Sequence, residues 1–115
     1  MADTKEVKPV RPRAVAQADV AAALAAYAHE GGPALAGRFI AALESAYAAM
    51  AEYRGAGSPR YAEQLDLPGL RHRRLGRFPW IALYWERPDH IDVLRVLDAR
   101  CDIPVWLAGH DGEES

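Results

Sequence analysis

Apolar positions recur along this chain at two periods: every three or four residues through the first half, and every second residue or continuously through the second. In 17–30, QADVAAALAAYAHE, Val20, Leu24 and Tyr27 fall on one stripe in a background of alanine, the strongest helix former, which predicts a helix over 17–30. Asp19 sits where its charge complements the positive end of the helix dipole. Gly31-Gly32-Pro33 stops this helix and offers Pro33 near the first turn of the next. A second helix is expected over 34–53, with Leu35, Phe39, Leu43, Tyr47 or Ala46, and Met50 on one side along about 30 Å. Arg38, Glu44, Ser45 and Glu52 fall largely elsewhere on it. The short connection makes an αα-hairpin whose alanines permit close approach of the backbones, and whose larger residues are left to cover a sheet.

The sheet is expected mainly from the second half. Leu70 to Leu75 read as one strand; WIALYWE, 80–86, is apolar on both faces and reads as a central strand; HIDVLRVL, 90–97, is β-branched and reads as a third. Arg87-Pro88-Asp89-His90 suits a tight hairpin turn, because proline presets φ at its second position. Ahead of the helices, EVKPVRPRAV alternates Val7, Val10 and Val15 with charges, and two prolines confine it to an edge strand. RGAGSPR, 54–60, reads as a loop, and 61–69 carries no period that assigns it. The order β-α-α-β-β-β argues an α+β fold, an N-terminal edge strand and αα-hairpin followed by a three-stranded antiparallel meander.

Length bounds this to one core: 115 residues make one domain over 1–107, with 1–5 frayed and an acidic tail over 108–115 that holds Asp111, Glu113 and Glu114. Fourteen basic against sixteen acidic side chains give a net charge of −2, so any attraction to an anionic partner must be local. Cys101 stands alone, which excludes an internal disulfide and fits a structural thiol in a reducing compartment. The lack of a membrane-length apolar run or a signal-like N-terminus gives an expectation of a cytoplasmic protein without membrane contact. His29, His72, His90 and His110 show no paired ligand spacing, and no phosphate loop, nucleophile elbow or dinucleotide fingerprint occurs; no metal and no cofactor are expected.

The candidate chemistry lies in LRHRRLGRFPWIALYWE, 70–86, where four arginines and a histidine fall within seven positions beside an apolar strand. Strand alternation puts Arg71 and Arg73 with Leu75, and His72 and Arg74 with Leu70. Two readings stand: a solvated edge whose arginines discourage aggregation, or a binding surface of planar bidentate donors backed by Phe78, Trp80, Tyr84 and Trp85. Its partner is then phosphate or an acidic protein segment. Arg95 interrupts the alternate apolar positions Ile91, Val93 and Leu97; it is either half of an ion pair, with Glu86 as one possible partner, or a cation on the floor of a concave sheet.

The stretch 67–104 resembles the C-terminal half of toxins in the RelE/ParE superfamily of bacterial type II toxin-antitoxin systems, closest to the ParE branch. The likeness is carried by Gly69-Leu70-Arg71, Gly76-Arg77, the aromatic-aliphatic strand ending in Tyr84, and VLRVL followed by DIP, with both helices in the family's order over about 7–107. It implies a helix pair on a curved antiparallel sheet, in a hetero-oligomer with a cognate antitoxin. ParE members act on DNA gyrase, RelE members cut mRNA in the ribosome. Lysine occurs only at 5 and 8, no tyrosine follows Tyr84, and Asp98 and Cys101 stand where relatives often carry histidine and arginine. The resemblance therefore implies a gyrase-binding toxin rather than an enzyme, with target or antitoxin contacts at Arg71, Arg73, Arg74, Arg77, Arg95, Trp80 and Tyr84. The alternatives are a metal-independent, ribosome-dependent endoribonuclease using His72, Arg73 and Arg95, and a non-toxic interaction module on the same scaffold.

Overall fold

The computed structural model of the chain describes residues 7–105 and Leu107. The expected frayed start, 1–5, and the acidic segment 108–115 lie outside the described residues. The elements in order are β1 (Val10–Pro12), α1 (Ala14–Glu52), α2 (Arg60–Gln64), β2 (Arg71–Arg74), β3 (Trp80–Glu86) and β4 (Ile91–Asp98).

Helical hydrogen bonding runs on through α1, yet Gly32 inside it has φ 72° and ψ −169°, a conformation open to glycine at little cost. The chain reverses there. The Tyr27 and Phe39 ring centroids lie 5.2 Å apart, whereas twelve residues of straight helix would separate them by about 18 Å. The element is thus the expected hairpin, its first arm beginning at Ala14 rather than at 17, with Gln17 N–H donating to the Arg13 carbonyl. Residues 61–69, unassigned by pattern, hold most of the short helix α2; Tyr61 and Ala62 from it, and Leu65 and Leu67 just after it, pack inward.

The sheet has the order β1-β4-β3-β2. β2, β3 and β4 form the expected antiparallel meander, and the Arg87 N–H donates to the His90 carbonyl across the predicted turn. β1 is the expected edge strand, but it lies parallel to β4, pairing Val10 with Ile91 and Pro12 with Val93, so the sheet is mixed rather than wholly antiparallel. Strand direction leaves no trace in hydropathy: this pairing joins the two ends of the domain after the helical hairpin has returned the chain. Proline does no harm here, because the cross-strand bonds use the N–H groups of Ile91 and Arg13, which donate to Pro9 and Val93 carbonyls.

Both faces of the sheet are covered. Against one, Phe39, Leu43, Ala46 and Met50 from the second arm of α1 and Ala16 and Ala23 from the first meet Leu75, Ala82, Tyr84, Val93 and Val96. Against the other, Leu70, Ile81, Leu83 and Leu97 are closed over by Ile103, Leu107 and the residues around α2. β3 therefore buries both its rows, as a central strand should. The pairing shifts by one residue between Leu83, opposite Arg95, and Tyr84, opposite Val93, leaving Leu94 as the extra residue of a bulge. A bulge inverts the alternation, so Val93 and Leu97, four positions apart, pack on opposite faces.

Candidate functional site

Much of the arginine-rich band is used inside the fold. Arg71, paired across from Tyr84, donates to the Gly57 carbonyl at 2.7 Å and ties the 54–58 loop to the sheet. Ser58 and His72 exchange both backbone hydrogen bonds, at 2.9 Å each, which closes the outer edge of β2 at that residue. Gly57 comes so close that a Cβ there would stand 2.3 Å from the Tyr84 hydroxyl and 2.9 Å from the His72 carbonyl. Tyr84 itself is fully buried, and its hydroxyl, lying against Gly57, makes no well-aligned hydrogen bond among the described residues. Burial, then the charge of Glu86, raises its pKa.

His72 packs on the Tyr61 ring at 5.0 Å, with Nδ1 buried and without a hydrogen-bond partner among the described residues. Burial, then the positive charge of Arg60, lowers its pKa, so the neutral ring is favoured. Trp80 donates from Nε1 to the Tyr27 hydroxyl at 3.0 Å and meets Phe39 edge to face; it holds the hairpin against the sheet.

Arg95 is 3% exposed and forms a bidentate pair with Asp19, at 2.7 and 2.8 Å. Its partner is Asp19, not the Glu86 that strand proximity suggested. The same carboxylate accepts the Val96 N–H at 3.0 Å. β1 spans three residues and ends opposite Val93, so the edge of β4 beyond it is finished by a helix side chain. Tyr47 also feels this carboxylate: burial, then the charge of Asp19, pushes its hydroxyl up to about 12. Of the conditional nuclease set, His72 and Arg95 stand in register two strands apart with Leu83 between them, Arg73 points to the opposite face from His72, and the Arg95 head turns to Asp19. The structure does not bring the three to one point.

What remains open to solvent is a groove between the second arm of α1 and the β2–β3 hairpin. One part, a cleft of about 340 Å³, is lined by Ala42, Ser45, Ala46, Arg73, Arg74 and Gly76. The next part, about 480 Å³, is lined by Arg38, Ala41, Arg77 and Phe78, the immediate chain neighbours of the first on both walls. Gly76 has φ 56°, and a Cβ on it would come 3.3 Å from that of Ala42, so glycine allows both the turn and the close approach of hairpin to helix. Arg74 is oriented by donating from Nε to the Phe78 carbonyl at 3.1 Å. None of Arg38, Arg73, Arg74 and Arg77 meets a carboxylate among the described residues, and Glu44, the acid on this stretch of helix, lines neither cleft. Three of the sequence candidates, Arg73, Arg74 and Arg77, thus share one groove. Arg38 joins them although its place off the apolar stripe gave no hint of it; the small residues at 41, 42, 45 and 46, which let a strand hairpin approach, were the available signal.

Cys101 is half-buried, and burial, then the charge of Asp98, raises its pKa, which disfavours the reactive thiolate. Among the described residues, no three His, Cys, Asp or Glu side chains gather as a cation site, and no helix is long and apolar enough to cross a membrane.

The chain thus forms a helical hairpin laid on a mixed sheet of order β1-β4-β3-β2, with an arginine-lined groove at its hairpin corner. By sequence, the chain belongs to the ParE toxin family, the ParE toxin of type II toxin-antitoxin system, parDE, which matches over residues 10–103. Among solved structures, it is similar to one titled "Chromosomal ParDE TA system from P. aeruginosa", with a TM-score of 0.65 and 24% identity over 78% of this chain and 94% of that one; at such identity the likeness speaks for the fold. A search of curated proteins gave no match.

Proposed function

We propose that this ParE-family toxin acts in the cytoplasm by binding DNA gyrase and stalling it, and that a cognate antitoxin neutralises it in a hetero-oligomer. The observation that carries the reading is the chemistry of the groove: guanidinium groups with no carboxylate or imidazole lining it among the described residues. An arginine side chain stays protonated and offers donors only, so such a surface recognises and holds but does not abstract protons. His72, the one neutral base nearby, is packed beneath Tyr61 on the other face of the sheet.

The antitoxin has a ready place. Arg71, Arg73 and Leu75 direct their backbone groups to β3 and His72 directs its own to Ser58, so at Arg74 the edge of β2 faces outward. An extended segment adding there gains main-chain bonds at the edge. The neighbour titled a ParDE system supports a paired toxin and antitoxin in this family.

The test is induced expression in bacteria together with purified gyrase. Growth arrest and accumulated cleavage complexes are expected, both relieved by the antitoxin encoded beside the toxin gene. Unaltered supercoiling with cleavage of messages at the ribosomal A site replaces this reading with the ribonuclease one. Normal growth with a bound partner replaces it with the non-toxic module.

A further inference from the structure

We infer that the groove between α1 and the β2–β3 hairpin is a nucleic-acid site that binds the phosphodiester backbone, independently of any protein target. Arg73 and Arg74 line the hairpin wall of the first cleft, and Arg77 and Arg38 line opposite walls of the second, so four cations gather along adjoining clefts rather than scattering over the surface. The segment from Arg38 to Ala46 rises about 12 Å, and a nucleic-acid strand presents one phosphate per about 3.4 Å of axis, so three or four phosphates fit its length. Four guanidinium groups match that number, each with the planar fork that grips a phosphate through two donors. The Ser45 hydroxyl, exposed in the same cleft, adds a neutral donor.

The wall composition decides between phosphate and an acidic peptide as the intrinsic ligand of the groove. A peptide needs an apolar anchor, because exposed carboxylate pairs are individually weak. The helical wall offers only the small side chains of Ala41, Ala42, Ser45 and Ala46, and Phe78 is the single aromatic side chain in the lining. A phosphate backbone gains its affinity from released counterions and needs no anchor. The small residues then act by letting the backbone approach the guanidinium groups closely. The net charge of −2 makes this attraction local to the groove.

The experiment is fluorescence anisotropy of the full chain with a labelled 20-nucleotide single strand and the matching duplex, at 50 and 200 mM salt and without gyrase. Contact with three or four phosphates predicts a loss of affinity of about 40- to 150-fold for the duplex and about 20- to 50-fold for the single strand across that interval. Arg73→Ala combined with Arg77→Ala should weaken binding at least tenfold and lower the salt dependence by about two phosphates' worth, while thermal unfolding stays as in the parent. Arg54→Ala, outside the groove, serves as the control and should bind as the parent does. No saturable binding at 50 mM salt overturns the inference, as does binding indifferent to the double substitution, or capture of polyglutamate in preference to DNA. Because gyrase is absent from the assay, any of these outcomes leaves the gyrase reading standing.

Discussion

Arg95 and Arg73 occupy neighbouring regions of one sheet, and the same side chain does opposite work in the two places. At Arg95, a guanidinium that solvent does not reach is held by donating two hydrogen bonds to a single carboxylate, 76 positions away in sequence. At Arg73, the head opens into a cleft shared with Arg74 and with the alanine and serine wall of α1. Sequence type cannot separate them; what separates them is whether a carboxylate arrives from another element. Density of cations in a sequence is therefore a poor guide to a site, and the absence of a local acid after folding is a better one.

The contrast can be broken most forcefully at the buried end. Arg95→Ala leaves Asp19 without its pair, and loss of one partner of a buried pair costs about 3–5 kcal/mol; urea unfolding should show it, and stability close to the parent would mean that this corner is solvated. Next comes the loop that Arg71 ties down. Gly57→Ala drives a methyl group into the Tyr84 hydroxyl and the His72 carbonyl, an overpacking that should cost about 1–3 kcal/mol, and adding Tyr84→Phe should recover part of it by clearing the hydroxyl. No recovery in the double variant would put the clash on the His72 carbonyl instead.

A smaller effect is expected from pH. His72 has its pKa lowered by burial and then by Arg60, so the unfolded chain takes up the proton more readily than the folded one. Its contribution is whole above the ordinary histidine value of about 6.5 and falls away as pH drops below it. Asp92, held down first by its hydrogen bonds to Arg13, and with Arg87 also bonded to it, acts in the same direction at lower pH: what it contributes is lost as pH falls below the ordinary carboxylate value of about 3.9. Denaturation curves of His72→Gln against the parent should converge near pH 5 and separate toward pH 7.5. The least change in stability belongs to the groove: Arg77→Ala should stay within about 0.5 kcal/mol of the parent, while partner binding drops.

The helical hairpin was legible because two independent signals agreed, the three-to-four period and the Gly31-Gly32-Pro33 break. β3 was legible from its two apolar rows, and the Arg87–His90 turn from its proline. The short helix after Pro59 was not, since five residues hold too little of a period to detect. The direction of β1 was not, because side-chain pattern says which face a residue takes and nothing of which way its strand runs. The ion pair of Arg95 was legible but its partner was not, because Asp19 comes from the helix; and a strict alternation from Ile91 to Leu97 ignores the extra residue at Leu94, which turns Leu97 to the opposite face from Val93. Among the site candidates, the arginines of the hairpin could be picked out by charge alone, whereas Arg38 depends on a contact between helix and hairpin that only the folded chain displays.

Among the described residues, one flank of the sheet is sealed by the helical pair and the other by the residues around α2 with Ile103 and Leu107, which leaves the rim as the part of the sheet open to a partner. Rim positions can be exchanged with little cost to folding. Lineages of such a toxin are thereby free to change whom they recognise, and who restrains them, while the interior stays fixed.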